Sequence, residues 1–572
     1  MTATLASTDT FESFPYTRPN LAAFTQAFEE QLGLFEAATS AAAQVDYLGE
    51  LNRMREAFAT MYNLCFIRHT VDTADPFYEQ ENTYFDENLP AYEALNDRFY
   101  RVLLGSPFQA DLEKRYGSHL FVLAELALKT FRPEIQKDLQ EENALSTEYT
   151  KLKAKSQIEF DGKSYNLSSF TPVEQSDDRS VRRRAATAKW ALYEKNAASV
   201  EPLFDQMVRS RHRMARALGY DNFVAVGYAR MRRSDYTPQM VANFRKQVRE
   251  RIVPLTLELY ERQRRRLGLD RLKYYDEDYK FPSGNPKPIG TPDAIVEHAS
   301  RMYSELSPET DLFFRRLLDA RLMDLVNHDG KATGGYCTYM PLFQAPFIFS
   351  NFNGTSGDID VLTHEAGHAF QVWNSRHFEF DEYHWPTSDA AEIHSMSMEF
   401  FTWPWMHLFF GADTSKYQFM HLSNALLFLP YGVAVDEFQH IIYENPDMTP
   451  AERNAAWRGL EKIYLPHRDY SGNTFLENGG FWQKQNHIFN SPFYYIDYTL
   501  AQICAFQFWK KDIEDHKAAW GDYLRLCKAG GSQSFLDLVR LANLRSPFED
   551  GCVDSVVGEI RSYLDNVDDS NF

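Results

Sequence analysis

The amino-acid sequence predicts a mainly α-helical fold with a small β-sheet in its middle third. Apolar residues recur at three-to-four spacing with charged residues between them over 20–60, 89–105, 109–157, 180–220, 237–267 and 291–326. Strand-like composition is confined to two short stretches. Helix-start chemistry agrees with the periodicity, because Thr237-Pro238 and Thr291-Pro292 each place a proline at a first helical position.

Along the chain, the helical N-terminal region reaches a short hairpin at 158–170, where Asp161-Gly162 supplies the turn. Residues 334–353 (GGYCTYMPLFQAPFIFSNFN) combine glycine, proline, aromatic and β-branched residues and read as strands. TSGD at 355–358 then caps a helix running through Trp373, and a second helix follows Pro386. Residues 465–492, with Gly472, Gly479, Gly480 and Pro492, read as a long mobile loop, and Gly479-Gly480 as a hinge for a lid. A soft boundary near 200 divides a helical lobe, 1–200, from 201–572, which holds the motifs below.

Net charge is −20, which opposes nonspecific binding to nucleic acid or anionic membrane. Arginines at 179–184, 209–216 and 262–266 read as helix faces paired to carboxylates rather than an anion-binding patch. Five cysteines without a CxxC pair suggest reduced thiols. The N-terminus lacks a basic and apolar leader, and no apolar run reaches the ~18 residues of a membrane span. A cytoplasmic enzyme is the expectation.

The chemistry concentrates in VLTHEAGHAF at 361–370. On a helix His364 and His368 lie one turn apart on one face, so both imidazoles can reach one metal, and Glu365 can address a coordinated water. Zinc suits two neutral imidazoles plus a carboxylate and keeps a fourth position for water. Gly367 costs about 1 kcal/mol against alanine in a helix, a cost that makes sense if another backbone or a substrate passes close by. A metzincin would continue with glycine at 371 and histidine at 374. Here these are Gln371 and Asn374, so the third ligand must come from elsewhere.

TSDAAEIHSMSMEFF at 387–401 offers it. Glu392 reads as the ligand, and Glu399, almost two turns on, as a carboxylate orienting a ligating imidazole. Asp389-x-x-Glu392 also reads as a capping box. His394 points elsewhere and reads as structural, and the aromatics of 400–410 as core. QNHIFNSPFYYIDYTLAQ at 485–502 supplies His487, Tyr495 and Tyr498 as donors for an oxyanion, with Tyr494 read as core packing.

HEAGHAFQ at 364–371, AEIHSMSMEF at 391–400 and HIFNSPFYYIDYTLAQ at 487–502 together resemble the thimet oligopeptidase / oligoendopeptidase F family of zinc metallopeptidases. The likeness is closest to bacterial oligoendopeptidases and strongest over 330–510, with ALGYDNFVAVGYARMRR at 217–233 in weaker support. It implies two helical lobes flanking a deep substrate channel, with the small sheet beside the zinc-binding helix. It implies one Zn2+ held by His364, His368 and Glu392, and Glu365 as general base. His487, Tyr495 and Tyr498 would contact the substrate or the oxyanion, and the run Phe493-Tyr494-Tyr495 permits a one-residue shift of the tyrosine roles. The expected activity is cleavage of internal bonds in short peptides paired along the 334–353 strand edge.

Three alternatives stand beside it. A dipeptidyl carboxypeptidase shares the fold. Glu365-x-x-His368 and Glu437-x-x-His440 have the spacing of a di-iron carboxylate bundle. A noncatalytic zinc protein could bind peptides without cleaving them. Side-chain preference and oligomeric state are not legible in the sequence.

Overall fold

The expected helical stretches are present, broken where local chemistry breaks them, except at the end of 291–326. The computed structural model describes residues 10–572. The 20–60 stretch becomes Leu21–Ala37 and Ala41–Val71, opened by Asn20 and Ser40, whose side chains accept the N–H groups of Ala23 and Ala43. The 109–157 stretch divides into Gln109–Tyr116, His119–Leu128 and Gln136–Ala154, interrupted at left-handed Gly117 and at Pro133.

The 291–326 stretch departs from expectation. Two capped helices, Pro292–Leu306 and Pro308–Asp319, end at left-handed Arg321, and Met323–Val326 is a strand. Buried Leu322, just before the strand, and buried Leu325 within it are spaced as on one helical turn, so periodicity could not separate helix from strand. Residue 200, the expected boundary, falls inside the continuous Arg179–Ala217 helix. A separate apolar core, around Phe28, Leu51, Phe99 and Leu120, is built by helices before residue 130 together with Phe380 and Tyr383.

The hairpin forms as expected. β1 (Ile158–Phe160) pairs with β2 (Lys163–Tyr165) across Asp161 and Gly162, both with positive φ (48° and 77°). The second sheet has β3 (Met323–Val326), β4 (Tyr336–Met340) and β5 (Ala345–Phe352) in the order β3-β5-β4, with β3 parallel and β4 antiparallel to β5. Buried β5 therefore leaves β4 at an edge and feeds directly into the Gly357–Ser375 helix.

Residues 465–492 are not a mobile loop. They fold into the turns Thr474–Glu477, Gly480–Lys484 and Asn486–Asn490, with Tyr470, Leu476, Trp482 and Phe489 buried. Gly479 is required by space and not by motion, since a Cβ there would lie 1.9 Å from the Asn454 carbonyl oxygen. Glycine and proline density signalled tight packing here.

The arginine clusters are ion-paired: Arg179 and Arg182 on Asp276, Arg211 on Glu142, and Arg262 and Arg266 on Asp569. All five cysteines are free thiols. Among the described residues no helix is long and apolar enough to cross a membrane.

Candidate active site

The site is built where the Gly357–Ser375 and Ser388–Phe401 helices cross. A Cβ on Gly367 would lie 2.7 Å from Ser395 Cα and 2.8 Å from the His394 carbonyl oxygen, so only glycine permits the approach. Asp358 anchors the start of the first helix by reaching back to the N–H groups of Asn353 and Gly354, both at 2.8 Å, while Ser356 makes no cap.

The crossing brings Glu392 Oε2 to 3.1 Å from His364 Nε2 and 3.3 Å from His368 Nε2. The three ligand-type atoms lie within 4.8 Å of one another, and Glu392 is fully buried. Asp389 does not build the capping box. Its carboxylate accepts from Thr387, Tyr236 and the Ala390 N–H, leaving Glu392 to the histidines.

A hydrogen-bond chain fixes the protons. The Trp403 indole donates to His421 Nδ1 at 3.3 Å, so the His421 proton sits on Nε2 and is donated to Glu399 Oε2 at 2.8 Å. Glu399 Oε1 accepts from His364 Nδ1 at 2.7 Å. The His364 Nε2 lone pair is thereby turned toward Glu392 and His368.

Three Lewis bases thus face one point, while His368 Nδ1 and Glu365 Oε2 have no partner. That donor set fits a divalent ion with a borderline-soft preference for nitrogen, as zinc has. The protein's own electrostatics register the same demand for positive charge. A proton competes with a metal ion for the His364 lone pair: burial disfavours that proton, but the facing carboxylates of Glu392 and Glu399 outweigh burial and hold the imidazole well above its usual range. Burial raises Glu392, yet the charge and hydrogen bonds of the two imidazoles drive it well below the carboxylate range.

Glu365 projects beside this point and is buried, which raises its pKa despite His364 and His368. Gly335, the residue before β4, lies against it: a Cβ there would stand 3.2 Å from Glu365 Oε1. His364, Glu365, His368, Glu392 and Tyr336–Thr338 of β4 line a cavity of about 440 Å³, which His487, Tyr494 and Tyr498 line as well.

Gln485 donates to His487 Nδ1 at 2.7 Å, so the His487 Nε2–H donates to the Tyr498 hydroxyl oxygen at 3.2 Å. Burial pushes His487 down to about 4, which keeps the ring neutral. The Tyr498 proton is left free to point into the cavity.

Two tyrosines exchange places relative to expectation. Tyr494, expected in the core, lines the cavity and donates to Glu392 Oε1. Tyr495, expected beside the oxyanion, packs its ring 5.6 Å from Phe428 and 5.8 Å from Tyr431 and does not line the cavity. The helix begins at Tyr495, so residues 494 and 498 share a face and residue 495 lies about 100° away. The register is pinned at left-handed Phe493 (φ 68°), whose carbonyl accepts from Arg233 at 2.5 Å. The Phe493 ring fills the space at Gly227, where a Cβ would meet it at 2.4 Å.

His421 and Trp403 were legible only as helix and core residues. Arg232, which lines the cavity in a left-handed conformation (φ 55°), lies in the 217–233 segment that lent weaker support to the resemblance but was not read as a site residue. His394 is buried and bonded to the Ala390 carbonyl, as a structural residue would be.

The di-iron arrangement is not assembled. Glu437 accepts from Tyr464 at 2.5 Å and His440 meets Tyr228 at 3.2 Å. Among the described residues only His364, His368 and Glu392 form a group able to hold a metal ion.

Comparison with known proteins gives the chain's family. The model of Peptidase family M3 matches residues 173–285 and 309–557, and that of the Peptidase M3 N-terminal domain matches 11–131. An oligoendopeptidase F homologue of Borreliella burgdorferi is 23% identical over 387 residues, spanning 66% of this chain and 64% of its own length. The structure of PZ peptidase A with an inhibitor is 56% identical, with a TM-score of 0.97 over 98% of this chain and all of that one. A proposed oligoendopeptidase F of Bacillus anthracis is 52% identical, with a TM-score of 0.93 over 98% and 99% of the two chains.

Proposed function

Since the chain belongs to Peptidase family M3, we propose that it is a zinc-dependent oligoendopeptidase that hydrolyses internal bonds of short peptides. The observation that carries this is a buried, unpartnered Glu365 carboxylate beside three converging ligand atoms, next to the terminal strand of a sheet. A cavity of about 440 Å³ suits an extended peptide and excludes a folded chain. The free thiols support a reducing, cytoplasmic setting.

His364, His368 and Glu392 would hold one zinc ion, which when bound supplies Lewis-acid polarisation and a water acidified to a pKa near ~7. Glu399 and His421 keep His364 in the tautomer that leaves Nε2 free. A substrate strand adds to the edge of β4, which fixes the scissile carbonyl next to Glu365. Glu365 takes a proton from the attacking water as its oxygen bonds to the carbonyl carbon. The same carboxyl then delivers that proton to the leaving nitrogen as the C–N bond breaks.

Tyr498 donates to the developing oxyanion, its own oxygen already held by His487. Tyr494 orients Glu392. Tyr495 supports the position of Tyr498 by packing and takes no part in the chemistry.

The test is Glu365→Gln, assayed with an internally quenched peptide alongside metal analysis. Zinc content should stay at one per chain while kcat falls by about 10²–10⁴. Undiminished turnover would remove Glu365 as the base.

A further inference from the structure

A second cavity of about 450 Å³ adjoins the first, and Gly335 lines both. A side chain has no room at this junction: a Cβ on Gly335 would lie 2.8 Å from Val361 Cγ1 and 3.2 Å from Glu365 Oε1. Bare backbone therefore leads from the Glu365 carboxylate into the second cavity.

The wall of that cavity is basic. Lys153, Lys189 and Lys484 line it. Lys189 already has a partner, donating to both Glu174 oxygens at 2.9 and 2.8 Å. Lys153 and Lys484 do not. The Lys153 ammonium, on a residue only 7% exposed, donates to the Tyr193 hydroxyl at 2.9 Å and to the Lys484 carbonyl at 3.3 Å, both neutral. Lys484 Nζ lies 4.3 Å from the centre of the Phe481 ring. Burial, with Lys189 and Arg468 nearby, pushes this ammonium down to about 8.

Asp358 is the one carboxylate lining the cavity, and two backbone N–H groups already occupy it. The chain carries 80 acidic against 60 basic residues. Lys153 is buried and Lys484 half-buried, and neither ammonium is ion-paired, although Glu174 and Asp278 stand near Lys484; an anion entering the cavity would therefore offset their desolvation.

We infer that Lys153 and Lys484 form a carboxylate subsite that binds the C-terminal carboxylate of a peptide lying in the cleft. This rests on the peptidase reading of the adjoining site. Every short peptide carries such a group, so the subsite would measure the distance from the scissile bond to the chain end and favour short substrates.

The test measures binding of a labelled peptide to the zinc-loaded Glu365→Gln protein, and cleavage of the same peptide by wild type. Three forms are compared: free C-terminus, C-terminal amide, and amide with glutamate as the last residue. Amidation should weaken binding about tenfold. Lys153→Met/Lys484→Met should remove that preference to within about twofold, and the double arginine variant should restore it. The single Lys484→Met variant, at a half-buried position, gives the same readout if the double variant does not fold.

Recovery of affinity by the glutamate peptide would show that a side-chain carboxylate also fills the subsite. Equal binding of free and amidated forms to the Lys-intact protein, a preference surviving in the methionine variants, or no binding of any form would each overturn the inference. Wild type that binds with the predicted preference but cleaves nothing would instead overturn the peptidase reading.

Discussion

Two helices of this protein carry a glutamate three residues before a histidine, and only one of them assembles a candidate metal site. Glu365 and His368 face a crossing helix at the distance Gly367 permits, where His364, His368 and Glu392 present more lone pairs than protons to share. Glu437 and His440 have the same spacing, yet each is answered by the protein: Glu437 by Tyr464 and Arg245, His440 by Tyr228 and Asp436. Spacing on one helix sets which side chains share a face. Convergence is set by what the neighbouring helix brings and by the room to bring it.

Removing the partner carboxylate breaks the contrast most severely. Glu392→Ala should retain no zinc after dialysis and no measurable peptide cleavage, read by metal analysis and a quenched-peptide assay. Gly367→Val attacks the crossing instead of the ligand. Its side chain would drive into the His394–Ser395 backbone, with an expected loss of about 1–3 kcal/mol of stability by denaturant melt and weakened zinc retention. A variant with wild-type zinc content and stability would show that the close approach is dispensable.

His421→Phe leaves all three ligands in place but removes the donor that holds Glu399. Zinc affinity should fall about 10–100-fold by competition with a chelator. At the second pair, His440→Gln should change zinc content and kcat/KM by less than about twofold, and a larger loss would erase the distinction between the two helices.

A charged cluster outside both pairs gives the smallest effect on zinc and turnover. Burial raises Glu142, but Arg230 and Arg211 outweigh it and hold its pKa at about 2. The unfolded value is near ~4.3, so the folded-state pKa is the depressed one. The stability this pair contributes is complete above about pH 5 and is lost as pH falls from there toward 2. The gap in Tm between wild type and Glu142→Gln should therefore narrow between pH 6 and pH 3, and a constant gap would contradict the pairing.

Much of this was legible in the sequence because it depends on local spacing. Helical period, the Asp161-Gly162 turn and the shared face of His364 and His368 are properties of a few consecutive residues. The need for glycine at 367 was also legible, though the backbone it admits was not. The tyrosine register was illegible because it turns on left-handed Phe493, which Gly227 and Arg233 fix from more than 250 residues away. Residues 465–492 misled for a related reason: Gly479 answers to Asn454 on another helix, a contact no local pattern reports. The unpaired lysines of the second cavity likewise emerge only when partners can be counted in space.

The most direct measurement is anomalous X-ray diffraction at the zinc absorption edge on crystals of the purified protein. One peak should appear within about 2.0–2.2 Å of His364 Nε2, His368 Nε2 and a Glu392 oxygen. A zinc-replete crystal with no peak among those three atoms, or with its peak elsewhere in the chain, would contradict the account.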